Sequence, residues 1–100
     1  MIYQIIIPES VYLELKEVSS YYEFKQKGLG LKFILNWETA MEHIKEAPFL
    51  YQKKNKQLRT IKLNKFPYLV IFEIIENRIY VFRLAHAKRN PKKVFKKRQS

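Results

Sequence analysis

Apolar and polar positions change their period along this chain, and each change marks an element. Ile2 to Ile7 is a mostly apolar run with weak alternation, which predicts a strand buried on both faces or lying at a covered edge; Pro8 ends it. Pro8 and Glu9 suit a helix start, because proline is tolerated in the first turn and an acid there complements the dipole. Val11, Leu15, Val18 and Tyr22 then fall at helical spacing and form one apolar stripe. Gly28 and Gly30, within Lys27 to Leu31, interrupt it and predict a tight turn between helices. Phe33, Ile34, Trp37, Ala40, Met41 and Ile44 recur every three or four residues, a second amphipathic helix that ends before Pro48, with Trp37 as a core anchor and His43 beside the stripe. Two helices this close in sequence form an antiparallel hairpin.

Beyond Pro48 the period shortens to two. Tyr51 to Gln57 carries no apolar period and no acid and reads as a loop. Arg59, Ile61 and Leu63 alternate with Thr60 and Lys62 as in a strand, and Asn64-Lys65-Phe66-Pro67 supplies a turn. Leu69 to Ile75 and Ile79 to His86 are rich in β-branched and aromatic residues and predict a hairpin around Glu76-Asn77-Arg78. Strand alternation puts Tyr68, Val70, Phe72 and Ile74 on one face, matched by Tyr80, Phe82 and Leu84, as the core side. The opposite face carries Leu69, Ile71, Glu73, Ile75, Val81, Arg83 and Ala85. Glu73 and Arg83 stand near a diagonal pairing there, and both a mutual salt bridge and a role at a site stay open. The order is β-α-α-β-β-β. The expected fold is α+β: an N-terminal strand and an antiparallel helical hairpin packed on a C-terminal antiparallel sheet whose other face is free. Lys62, Glu73, Arg83 and the Lys88-Arg89 exit border that free face.

One hundred residues, 47% of them hydrophobic and only two of them glycine, make a single folded domain over 1–100, with 91–100 as a basic tail. No apolar run approaches the roughly 20 residues that span a bilayer, and Met1 to Ile7 lacks the features of a leader, so a cytoplasmic protein is expected. The absence of cysteine excludes disulfides and thiolate chemistry. His43 and His86 are the only histidines and no carboxylates cluster at ligand spacing, so neither a metal nor another cofactor is expected. Charge sharpens the picture once the chain is divided after Leu50. The first half holds five Lys and seven Glu, net −2, whereas the second holds fifteen Lys or Arg and two Glu, net +13. The positive field belongs to the sheet half and implies an anionic partner, either nucleic acid or an acidic protein segment. The tail, with Lys92, Lys93, Lys96, Lys97 and Arg98 around only Val94 and Phe95, is poorly suited to a membrane surface.

An ordered set of short pieces resembles the RelE/ParE toxins of bacterial type II toxin-antitoxin modules. The pieces are Pro8-Glu9, Tyr21-Tyr22-Glu23 before the glycine turn, Ala47-Pro48, Arg59 in the next strand, Phe66-Pro67-Tyr68, and His86-Ala87-Lys88-Arg89-Asn90-Pro91. The resemblance spans nearly the whole chain. It implies a growth-inhibiting, plasmid-stabilising toxin neutralised by a cognate acidic antitoxin that wraps the basic sheet and folds on binding. RelE-like members cut messenger RNA in the ribosome, and ParE-like members inhibit DNA gyrase.

Cutting RNA requires a base for the 2′-hydroxyl, cations for the transition state and an acid for the leaving oxygen. Lys62 matches a strand lysine of the RelE-like sites, and Arg89 matches the arginine after the last strand. Where those members have an arginine just after the sheet-starting tyrosine this chain has Leu69, and where they have a C-terminal tyrosine it has Phe95. A nuclease would therefore use Lys62, Arg83, His86 and Arg89, with Phe95 stacking on a base. A ParE-like toxin would meet its target through Arg59, Lys88, Lys92, Lys93 and Phe95. Three readings follow: a gyrase-directed toxin, slightly preferred; a ribosome-dependent endoribonuclease; and a basic nucleic-acid-binding module without toxicity.

Overall fold

In the computed structural model, residues 3–53 and 57–88 are described. Strand β1 (Gln4–Ile6) leads into helices α1 (Glu9–Lys25) and α2 (Leu29–Glu46), then a 3-10 turn (Pro48–Leu50) and strands β2 (Leu58–Lys62), β3 (Tyr68–Ile75) and β4 (Arg78–His86). This is the expected β-α-α-β-β-β order, with the helical hairpin on one face of a four-stranded sheet ordered β1-β4-β3-β2. The sheet is mixed rather than wholly antiparallel. β2, β3 and β4 form an antiparallel meander, and β1 joins its edge parallel to β4, with Gln4 opposite Arg78 and Ile6 opposite Tyr80.

The helices form where the sequence places their starts and stops. Pro8 caps α1 from an extended conformation, its carbonyl accepting from the Val11 and Tyr12 amides, and Glu9 lies in the first turn. The turn to α2 rests on Gly28, whose φ of 87° is cheap only for glycine. The Gly28 amide donates to both carboxylate oxygens of Glu23, at 3.0 and 3.1 Å, and the Gly30 amide donates to Oε1 at 3.1 Å. One acid thus satisfies two orphan donors at the N-terminus of α2, where the dipole also favours it. Gly30 is not a turn residue. It lies inside α2, and a Cβ there would come within 2.7 Å of the Ser19 carbonyl oxygen, so its bare backbone lets the two helices approach.

The main core lies between hairpin and sheet. Val11, Leu15, Phe33, Trp37, Ala40, Met41 and Ile44 pack on Ile61, Leu63, Val70, Phe72, Ile79, Val81 and Leu84. Two of these β4 residues correct the simple alternation. The register passes from Ile71 opposite Arg83 to Phe72 opposite Val81, so β4 carries one extra residue, Phe82, in a bulge. A one-residue insertion exchanges faces. Ile79 and Val81 therefore enter the core, whereas Phe82 turns to the face away from the helices and packs against Leu58, Ile71 and Ala85. The sequence pattern leaves that face free, but it is not bare: a second small apolar cluster occupies its middle, and Thr60 and Glu73 are buried with it.

Gly30→Ala is diagnostic of the interhelix contact. In an exposed helix interior this substitution stabilises, but here we expect a loss of about 1–3 kcal/mol as Ser19 and Glu23 are pushed back. Chemical denaturation of the variant checks the sign.

Candidate functional site

β1 is only three residues long, so among the described residues no strand pairs with the outer side of β4 from Val81 onward. Helix α1 supplies a substitute. The Leu84 amide donates to Glu14 Oε1 at 3.1 Å, and Glu14 Oε2 lies 3.6 Å from Arg83 Nε. A single carboxylate thereby caps a sheet edge and holds the guanidinium at the bulge, a partly buried charge pair joining helix to strand.

Past Leu84 the gap between α1 and the sheet opens into a cleft of about 540 Å³, whose walls include Glu17, Tyr21, Tyr22, Lys25, Tyr68 and His86. The His86 ring meets Tyr68 edge-on with centroids 5.2 Å apart, and the Lys88 amide donates to His86 Nδ1 at 3.2 Å. With Nδ1 accepting, the neutral ring carries its proton on Nε2. Lys25 places its ammonium 5.2 Å from the centroid of Tyr21. Burial, and then the neighbours Tyr68 and Tyr21, push the Tyr22 phenol above its ordinary value of 10.0, so it stays a neutral donor at physiological pH. A second cleft of about 590 Å³ shares Tyr22 and Pro67 with the first and runs past Leu29, Lys32, Leu35 and Lys65. Asn36 Oδ1 fixes its rim by accepting from the Asn64 and Lys65 amides at 3.1 and 3.4 Å.

The residues singled out in the sequence scatter. Lys62 is exposed on the face away from the helices, opposite Leu69 and between the core residues Ile61 and Leu63. His86 lies on the helix side, paired with Tyr68. Arg83 Nε lies 3.6 Å from Glu14 Oε2; Glu73 sits opposite Leu58 and Tyr80 with only 4% of its surface exposed. Arg59 points to the core side, where Nη1 donates to the Tyr51 carbonyl at 2.7 Å and the guanidinium lies 5.2 Å from the Phe49 centroid. It fastens the 3-10 turn to β2. Lys88 is exposed at the end of β4. Arg89, Lys92, Lys93 and Phe95 lie outside the described residues.

Chemically, the cleft is suited to binding: aromatic walls, two carboxylates and an imidazole. Stabilising a phosphoryl transition state needs converging cations. Among the described lining residues of the cleft Lys25 is the one fixed cation, and Tyr21 already holds it. No group of three or more metal-ligating side chains occurs among the described residues. Glu14 is the residue that sequence reasoning passed over. It stands three after Val11 and four before Val18, on the border of the apolar stripe, where an acid must find a partner on whatever the helix covers.

The sequence matches the family described as the ParE toxin of type II toxin-antitoxin system, parDE, over residues 5–91. No curated protein matches it significantly. Among solved structures, a chain of the chromosomal ParDE toxin-antitoxin system from P. aeruginosa superposes with a TM-score of 0.76 at 12% identity, covering 87% of this chain and 98% of that one. The isolated E. coli RelE toxin gives 0.63 at 15% identity, covering 92% of both chains. A double arginine-to-alanine mutant of E. coli RelE in the free state gives 0.62 at 15%, covering 88% of this chain and 86% of that chain. At such identities the likeness is one of fold.

Glu14→Ala should destabilise the fold by about 1–3 kcal/mol, because it strands both the Leu84 amide and the Arg83 guanidinium. Arg83→Ala should cost less, and a double-mutant cycle should return a coupling of about 1 kcal/mol. Additive losses in thermal or urea unfolding would show that the pair does not act as a unit.

Proposed function

This chain belongs to the ParE toxin family and is the toxin of a type II toxin-antitoxin module, and within that class we propose that it arrests growth by acting on DNA gyrase. One observation carries the choice of target. Among the described residues, the lysine and the histidine that a RelE-like cut would draw on do not share a surface: strand alternation separates Lys62 from His86, and Glu14 holds Arg83 at the sheet edge. Leu69, which replaces a cation of the RelE-like sites, lies directly across from Lys62. The family match is itself to ParE toxins, and the superposition on the ParDE chain is better than that on RelE. These support a toxin that works by holding its target rather than by cleaving RNA.

The module supplies an antitoxin as partner. We assign it the acidic, partly disordered character that suits a sheet half of net charge +13. Its neutralising segment folds on binding and masks the basic surface. The cytoplasm is the compartment in which gyrase and antitoxin would be met, and among the described residues no helix is long and apolar enough to cross a membrane.

RelE-like cleavage is the second reading, favoured by the exposed Lys62 and by the fold shared with RelE. Induced expression in bacteria separates the two when messenger RNA 5′ ends and plasmid topology are followed in the same cells. The gyrase reading expects growth arrest with relaxed or broken plasmid and intact transcripts, and it expects Lys62→Ala and His86→Gln to remain toxic. New 5′ ends at ribosomal A-site positions, lost in Arg89→Ala, would replace it with the nuclease reading. Harmless expression without a co-purifying antitoxin would contradict both.

A further inference from the structure

The helical hairpin presents a surface that neither the core nor the basic sheet accounts for. Phe24 is 92% exposed at the end of α1, and Leu31 and Leu35, one turn apart on α2, are 63% and 51% exposed. Down α2 the same outward stripe continues through Glu38, Glu42 and Glu46, spaced three or four residues apart and all exposed. At the other end stand Lys27 and Lys32, also exposed, with no acid in the first turn.

Along the outward stripe of α2 this charge order runs against the helix dipole, which favours acids at the N-terminal end and cations at the C-terminal end; Glu23 of α1 at the N-terminus, and His43 and Lys45 in the last turn, offset it in part. An antiparallel copy of the same helix complements both the charges and the dipole. If a twofold axis passes at Leu35, a residue three positions before it faces the residue three positions after it on the partner. Lys32 then stands level with Glu38 across the seam, and the two Leu35 side chains touch at the centre with Leu31 beside them.

We propose that α2 pairs with α2 of a second copy of this chain, antiparallel about Leu35, in an isologous dimer that leaves both basic sheets facing outward. Charge argues for this occupant over the others. Residues 9–46 hold seven Glu and five Lys, so two helical layers meet with little net repulsion, whereas the sheet halves at +13 each repel. An acidic segment of another protein would face Glu38, Glu42 and Glu46 here. The contact is small, a single helix pair and its neighbours, so association is weak and depends on concentration. It is independent of the target reading, because it uses no residue assigned to gyrase or RNA.

Sedimentation velocity of the purified full chain across the micromolar range tests this. The mass should rise from one chain to two with concentration. Lys32→Glu, which sets an acid against Glu38 at both symmetry-related positions, should weaken self-association about tenfold, and Lys32→Glu with Glu38→Lys should restore it. Both side chains are exposed and an acid in the first turn of α2 suits its dipole, so circular dichroism melts should not fall below the parent; Leu35→Glu provides a second disruption through the apolar centre. A single-chain mass at every concentration, or dimerisation indifferent to Lys32→Glu, overturns the proposal. So does a monomer in which Lys32→Glu instead releases the antitoxin, since the face would then be the antitoxin's.

Discussion

Four rings hold this fold in register. Phe33 of α2 stacks with Tyr22 of α1 at 5.6 Å and meets Phe66 and Tyr68 edge-on at 5.0 and 5.7 Å, while Tyr22 itself touches Phe66 at 4.8 Å. Aromatic pairs of this geometry add to the free energy of burying their area and fix direction as well as distance. Because the rings come from both helices, from the turn before β3 and from β3 itself, the tilt of the hairpin on the sheet is set here. Tyr68 passes the constraint on to His86 across the strand pair, and Tyr22 and Pro67 form the ridge between the two clefts. The cleft between α1 and β4 is therefore a consequence of the core.

A second constraint comes from a strand that ends early. A sheet edge left open invites pairing with another chain, and proteins commonly cover such edges. Here the carboxylate of Glu14 takes that place at Leu84, and it also binds Arg83 where the bulge has turned it outward. One acid thus decides two things at once: that β4 can run on to His86, and that Arg83 is not free to join a cationic cluster. The gyrase reading rests largely on the second.

The element order, the helix stripes and the hairpin are legible in the sequence, because periods of 3.6 and 2 are local properties and Pro8, Gly28 and Pro48 punctuate them. What stays hidden is non-local. The bulge at Phe82 has no composition signal, since Tyr80, Val81 and Phe82 suit either face, and yet it exchanges core and surface for half of β4. The parallel pairing of β1 with β4 joins the two ends of the chain, and a short apolar run cannot specify its neighbour. Gly30 reads as a turn residue from its spacing, although its purpose is the helix contact at Ser19. For the candidate site, residue types are readable and faces are not. Lys62 and His86 are both legible as polar groups near a basic exit, but their separation depends on strand parity, and Arg59 looks like a binding cation until Tyr51 and Phe49 are seen around it.

Whether this toxin holds its target or cuts RNA is decided most directly with purified components. The full chain is titrated into a DNA gyrase supercoiling reaction and, in parallel, into ribosomes programmed with a messenger RNA. A gyrase-directed toxin abolishes supercoiling or causes broken plasmid to accumulate, and it leaves the message intact. Unimpaired gyrase alongside a message cut in the ribosomal A site would contradict this, and would mean that Lys62, His86 and Arg83 converge on the ribosome despite their separation in the free chain.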